Sequence, residues 1–237
     1  MYKEKFVVQK DEVDSFGEIK ISKLMWHMQN VAGEHAIKLK IDRDILMKDN
    51  NIWVVVRYDM KINRLPKLKE KYVITTHPGE TKGFMFPRFF QVYDKHGNLL
   101  VNISSTWVVV NFDTRRIILR PFKDINLPVE HDPNDLEVPS KVNEEATNLL
   151  YKRLTKESEL DINIHINNTF YYDYILEIHD IEFYKENKVS RILLNYEKEI
   201  THPSEIEIYS NKNNPEVIIG KVDGNPSFLA KVEFIKR

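Results

Sequence analysis

The sequence predicts an α+β fold built from two similar halves. Three observations carry that reading. Two amphipathic helical stretches occur, one near the start and one past the middle; several strand-like runs follow each; and a proline-spaced segment separates the two sets. Connections between the runs are short, which implies mainly antiparallel pairing. A chain of 237 residues suits one large domain or two small ones sharing a core.

The first helix is predicted from about residue 19 to about residue 39. Ile21, Leu24, Met25, Met28, Val31 and Ala32 recur at the three-and-four spacing of a one-sided helix. Such a helix is about 30 Å long and needs a broad apolar surface beneath it. Strands are predicted over residues 52–62, 71–77, 84–93 and 99–112, where Val, Ile, Thr, Tyr, Phe and Trp concentrate. Residues 120–140 are acidic and proline-spaced and read as an extended linker over the surface. The HxxxD string of His131 and Asp135 inside it is ascribed to chance. The second helix is predicted over about 168–180, with Phe170, Tyr171, Tyr174, Ile175 and Ile178 on one face. Strands follow at 181–184, 191–200, 205–211, 216–222 and 227–235. Lys95-His-Gly-Asn98, Ser210-Asn-Lys-Asn-Asn214 and Asp223-Gly-Asn-Pro226 supply turns. The first half is therefore assigned to residues 1–135, with a linker over about 120–147, and the second to 148–237.

The order of helix then strands occurs twice, and two strings support a duplication. Val54-Val-Val-Arg-Tyr-Asp-Met-Lys-Ile62 aligns on Ile192-Leu-Leu-Asn-Tyr-Glu-Lys-Glu-Ile200 without a gap. Asp14-Ser-Phe-Gly-Glu18 precedes the first helix where Asp161-Ile-Asn-Ile-His165 precedes the second.

Composition removes many functions. The chain has no cysteine, which excludes disulfides, thiolate metal sites and a cysteine nucleophile. Neither GxGxxG nor GxxxxGK[ST] is present, nor GxSxG, nor HExxH. A formal net charge of -1 does not suggest nucleic acid or membrane as a partner. The N-terminal string MYKEKFVVQKDEV lacks an apolar core and a cleavage site, and no apolar run approaches the roughly 20 residues of a membrane span. The expected compartment is the cytoplasm. No metal or organic cofactor is expected.

The most informative string is residues 160–177. Asp161, Asn163, His165 and Asn167 alternate with Ile162, Ile164 and Ile166. In an extended or tightly turned segment this alternation puts polar groups on one side and the isoleucines in the core. The helix is then expected to start at Asn167 or Asn168, either of which suits an N-cap. Free amides there would polarise a carbonyl and stabilise an oxyanion.

Asp-x-Asn-x-His-x-Asn-Asn-x-x-Tyr over residues 161–171 resembles the acyl-ACP thioesterases, double hot-dog enzymes that release fatty acids from acyl carrier protein. The resemblance runs over nearly the whole chain. It includes Ile21-Ser-Lys-Leu-Met-Trp-His-Met-Gln-Asn-Val-Ala-Gly-Glu-His35, Trp53-Val-Val-Val-Arg57 with Arg64-Leu-Pro66, and Ser105-Thr-Trp-Val-Val-Val-Asn-Phe-Asp-Thr-Arg-Arg116. It implies two fused hot-dog halves, each a long helix on a mainly antiparallel sheet. It also implies Asp161, Asn163 and His165 as catalytic positions, with Glu199 as the fourth. Plant members follow that Glu with Cys; here Ile200 follows, so a cysteine triad cannot operate and water must be activated by a carboxylate. Glu197 competes for that role, since strand alternation puts it on the face of Glu199.

The first half lacks the Asn and His, so one active site per chain is expected. The first half then contributes the acyl pocket, reached from the first helix by Met25, Trp26, Met28 and His35; Asn167 and Asn168 are the other substrate-side candidates. The implied partner is acyl carrier protein, which is acidic. Candidate docking patches are Arg64, Lys67, Lys69 and Lys71, and separately Arg115, Arg116 and Arg120. Acyl-CoA hydrolysis shares all the site residues and stays open. A non-catalytic acyl-thioester sensor also stays open, as does further dimerisation. A hot-dog dehydratase fits the Asp-x-Asn-x-His-x-Asn-Asn string less well.

Overall fold

A computed structural model describes residues 1–119, 121–122, 127–161, 164–201 and 204–237. Two units emerge: Met1–Lys20 with Leu24–Pro139, and Ile21–Lys23 with Ser140–Arg237.

The three-and-four pattern forms helix α1 (Ile21–Lys38), which belongs to the first unit from Leu24 onward. It buries Leu24, Met25, Met28 and Val31 completely. The helix stops where Lys40 turns left-handed (φ 57). Lys40 N then bonds Ile37 O and Ile41 N bonds Ala36 O, both at 3.0 Å, the paired closure of a Schellman motif. Asp42 caps the short helix α2 (Arg43–Met47) by accepting from Asp44 N and Ile45 N. Strands β1 (Tyr2–Val7), β2 (Asn51–Ile62), β3 (Lys71–Pro78), β4 (Phe86–Asp94) and β5 (Leu99–Asn111) lie in the order β1-β3-β4-β5-β2, every neighbour antiparallel.

Strands β4 and β5 are buried almost continuously, not at alternate positions. Helix α1 covers one face. The other carries the segment after Leu127. Gln91 Nε2 donates to Asp135 Oδ1 (3.1 Å), Ser104 Oγ to Glu137 O (2.7 Å), and Asn102 Nδ2 to Asn134 O. The linker is therefore tied down by sheet side chains. Asp135 has a partner, but it is His77 (3.0 Å) and not His131.

In the second unit, β6 (Asn148–Leu154), β7 (Asn187–Tyr196), β8 (Glu205–Ser210), β9 (Val217–Val222) and β10 (Asn225–Lys236) run β7-β10-β9-β8-β6, again antiparallel. Position by position this repeats the order of the first unit. The duplication thus extends to topology. The expected register does not hold: Ile62 and Tyr196 close the equivalent strands, so the gapless alignment of Val54 on Ile192 is displaced.

Three element readings need correction. Helix α3 is only seven residues (Phe170–Leu176). Residues 181–184 belong to helix α4 (Ile181–Glu186), not to a strand, because Asp180 accepts from Phe183 N (3.0 Å) and starts a helical turn. Strand β7 ends at Tyr196, short of the predicted residue 200. Strands β1 and β6 were not anticipated. Both lack a fully buried residue, mixing partly buried with exposed positions, and charged residues run together in each, Lys3-Glu-Lys5 and Lys152-Arg153. Among the described residues, no helix is long and apolar enough to cross a membrane.

Candidate active site

The segment at Asp161 folds as a tight turn, and the first unit contains its twin. Asp161 N donates to His165 O (2.8 Å) and Ile164 N to Asp161 O (3.1 Å); Asp14 N donates to Glu18 O (2.9 Å) and Gly17 N to Asp14 O (3.2 Å). In both turns the Asp Oδ1 accepts from the fourth amide onward, His165 N at 3.3 Å and Glu18 N at 3.0 Å. The next residue then pairs with a distant strand exit. Ile166 N reaches Ile200 O (2.9 Å) and Ile19 N reaches Pro66 O (2.8 Å). Asp161 is thus a turn-former that fixes the backbone of His165.

The turn overturns one expectation. Ile166 is buried, but Ile164 is 70% exposed. It sits at φ 62, matching φ 73 at Gly17. A left-handed residue breaks the alternation that would have sent it to the core. Asn163 and Ile162 lie outside the described residues.

Beyond Tyr196 the chain leaves its strand pairing, and Glu197 and Glu199 part company. Glu197 Oε1 faces Lys141 Nζ at 3.5 Å. Glu199 Oε2 faces His165 Nδ1 at 3.6 Å, with the carboxylate half-exposed. The expected strand alternation therefore does not apply, and the backbone brings Glu199, not Glu197, beside the imidazole. The separation is ion-pair range, slightly long for a hydrogen bond, as is common before substrate tightens a site. Tyr171 lies beneath, 2% exposed. Burial holds its phenol above the ordinary range, and the charges of Glu199 and Asp161 push the same way.

The helix start is not an open amide cradle. Asn167 Oδ1 accepts from Thr169 N (3.0 Å) and from Thr169 Oγ1 (2.9 Å). Phe170 N bonds Asn167 O, Tyr171 N bonds Asn168 O and Tyr172 N bonds Thr169 O. All four amides are engaged, and Thr169, not either Asn, occupies the N-cap. Asn168 O accepts from Tyr196 OH (3.3 Å), which ties the helix start to the end of β7.

The first unit has Glu18, Gly17 and Leu65 where the second has His165, Ile164 and Glu199, so it cannot form the same His–carboxylate pair. It has instead an apolar cavity of about 210 Å³ under α1. Gln29, Ala32, Gly33 and Ala36 line it, with Trp53, Phe86, Arg88 and Trp107 among the residues opposite. Met25 and Met28 are fully buried core and Trp26 is half-exposed; none of the three lines this cavity. Its helix wall is made by Gln29 and by the small residues Ala32, Gly33 and Ala36 further along, whose signal was their size. His35 contacts Arg88, one of the lining residues.

Among the proposed docking residues, Arg64 is engaged by Glu70 (2.7 Å) and Asp94 (3.4 Å). Lys67, Lys69, Lys71, Arg115 and Arg116 are exposed. Arg120 lies outside the described residues.

Two family models match the chain, one over each half. Residues 1–124 match the acyl-ACP thioesterase N-terminal domain, and residues 141–225 match the acyl-ACP thioesterase C-terminal domain. A chloroplastic palmitoyl-acyl carrier protein thioesterase of Cuphea hookeriana is 26% identical over 225 residues, 87% of this chain and 54% of that protein. A chloroplastic dodecanoyl-[acyl-carrier-protein] hydrolase of Cinnamomum camphora is 27% identical over 225 residues, 87% of this chain and 58% of that protein. The chain thus spans little more than half the length of these plant relatives. A crystal structure of an acyl-ACP thioesterase from Bacteroides thetaiotaomicron superposes with a TM-score of 0.91 at 25% identity, covering 98% of this chain and 97% of that one.

Proposed function

The chain belongs to the acyl-ACP thioesterase family, and from that premise we propose that it hydrolyses fatty acyl-ACP thioesters to free fatty acid and ACP. The observation that carries the chemistry is the approach of Glu199 to His165, 3.6 Å apart at a half-exposed turn, in a chain without cysteine. Glu199, as carboxylate, takes a proton from water while the water oxygen bonds to the thioester carbonyl carbon. The tetrahedral intermediate collapses with cleavage of the C–S bond, and the proton passes from Glu199 to the departing thiolate. His165 keeps the carboxylate aimed, and with Asn163 positions the water or the thioester oxygen. Asp161 acts through the turn as a positioning residue. Because the first amides of α3 are already bonded, oxyanion stabilisation falls to side-chain N–H groups.

In this reading residues 148–237 carry the chemistry, residues 1–135 supply the acyl site in the cavity under α1, and the linker spans about 120–147. Exposed Lys67, Lys69 and Lys71 form the proposed docking face for an acidic carrier protein. Rising salt would then raise KM for acyl-ACP far more than for acyl-CoA.

The test is thiol release from matched acyl-ACP and acyl-CoA series, with Glu199→Gln beside the wild type. The expected outcome is turnover favouring the carrier-protein series and a loss of at least about 100-fold in the variant. Near wild-type turnover by Glu199→Gln sinks the base assignment. Tight acyl-thioester binding with no release from any substrate retires the hydrolase in favour of a sensor.

A further inference from the structure

Arg88 stands on β4 and lines the cavity under α1, yet it is only 8% exposed. Its Nη1 donates to His35 Nδ1 (3.1 Å) and to Thr76 Oγ1 (3.2 Å). Neither partner is an anion. The Thr76 hydroxyl donates its own proton to Phe89 O (2.9 Å), so toward Arg88 it only accepts. His35 accepts through Nδ1 and so keeps its proton on Nε2. Burial, and then the neighbouring guanidinium, lower its pKa to about 4, which keeps the ring neutral.

Among the described residues no carboxylate lies within ion-pair range of Arg88. Burial lowers the guanidinium pKa to about 10, and the Tyr58 phenol is the group that works against this. Arginine offers five N–H donors in a planar fork. Here Nη1 alone finds protein acceptors among the described residues. Buried charges are normally paired, and a guanidinium fork matches a carboxylate with two parallel hydrogen bonds. The remaining exposed lining is largely hydrocarbon, including Trp53, Phe86 and Trp107; its other charged members are Arg43 and Asp42, whose carboxylate caps α2.

We propose that this cavity binds an aliphatic carboxylate, its head on the Arg88 fork and its chain against Trp53, Phe86 and Trp107. The volume of about 210 Å³ exceeds the roughly 150 Å³ that holds a benzene ring, so it takes a chain segment as well as the head. Two sources share this chemistry. One is the free fatty acid, an identification that rests on the hydrolase reading above; product held there would occupy the acyl site against the next substrate. The other is an acyl chain with a carboxylate at its far end.

Trp53 and Trp107 line the cavity and Trp26 does not, so tryptophan fluorescence reports occupancy. The full chain is titrated with decanoate, 1-decanol and the monomethyl ester of decanedioate. Decanoate is expected to bind saturably and at least about tenfold more tightly than decanol, which has the same tail and no charge. Arg88→Met is expected to bring decanoate to the level of decanol and to leave decanol unchanged. A half-ester as tight as decanoate assigns the site to far-end carboxylates, and a weaker one assigns it to free fatty acid; either supports the site. Equal affinity of decanoate and decanol, or saturable binding of neither, overturns it on the wild type alone, so a misfolded variant does not block the decision. A tenfold preference surviving in folded Arg88→Met overturns the role of Arg88. No thioester is cleaved in these titrations, so an inactive enzyme leaves their outcome intact.

Discussion

Ile164 is β-branched, 70% exposed and held at φ 62. A left-handed conformation costs a non-glycine residue about 1–2 kcal/mol, and strain of this kind persists where the surroundings over-determine it, commonly at functional sites. The twin turn places Gly17 at the same point and avoids the strain. Ile164→Asn keeps most of the chain stiffness while tolerating the conformation. It is expected to raise stability by about 0.5–1 kcal/mol, or about 1–4 °C in Tm. If thermal unfolding shows no gain, the turn is not strained. At the other unit, His35 gives a pH signature. Its pKa is about 4 in the folded chain against 6.5 ordinarily, lowered first by burial and then by Arg88. Between those values the unfolded chain takes up a proton that the folded chain refuses. The stability contribution is therefore intact above pH 6.5 and falls as pH drops toward 4. His35→Gln keeps an acceptor for Arg88 and removes the titration. Its Tm is expected to fall less than that of the wild type between about pH 7 and pH 5. Asp94, held at about 2 by Asn98 and nearby amides, titrates below that window.

At the scale of elements, the linker behaves as part of the first unit's sheet covering. Asp135 accepts from Gln91, which is fully buried, and bonds His77, also fully buried. Asp135→Ala leaves two buried polar groups without their partner, each costing about 1–3 kcal/mol. Urea unfolding is expected to show a loss of about 2–4 kcal/mol; a loss below about 0.5 kcal/mol would mean the linker is not anchored there. The sequence made some of this visible. Periodicity located α1 and the long strands β2 to β5, because they are apolar and bounded by turn residues. It did not locate β1 or β6, whose sequences YKEKFV and NLLYKRL bury one side only. It lengthened α3, because apolar spacing continues to Ile178 while the helix stops at Leu176 and Asp180 starts another. At the candidate site, residue types pointed to Asp161 and His165 and the family resemblance to Glu199, but neither gave their arrangement. Alternation is a property of strands, and both the turn at Ile164 and the exit beyond Tyr196 leave strand geometry. Arg88 was missed because the string Phe-Pro-Arg-Phe-Phe reads as an ordinary strand, and the absence of a counter-ion among the described residues is a fact of three dimensions.

Duplication is the property of the whole molecule that bears most on function. Both units keep the same strand order and the same Asp-led turn. They differ in what the turn displays. Glu18 and Leu65 in one stand where His165 and Glu199 stand in the other. A leucine cannot accept a proton, so the first unit keeps the scaffold without the pair that the hydrolase reading requires. On the hydrolase reading one active site per chain is expected, with two measurable consequences. A non-hydrolysable acyl-ACP analogue is expected to titrate the active site at one equivalent per chain. The matched substitutions are expected to diverge. His165→Gln should lower kcat/KM by at least about 100-fold, whereas Glu18→Gln, at the equivalent point of the other turn, should stay within about 3-fold, the range of a surface change away from the chemistry. Comparable losses in the two variants would mean that the first unit's turn also takes part in the reaction. Asymmetry would show that the duplicated fold keeps its catalytic apparatus in one copy only.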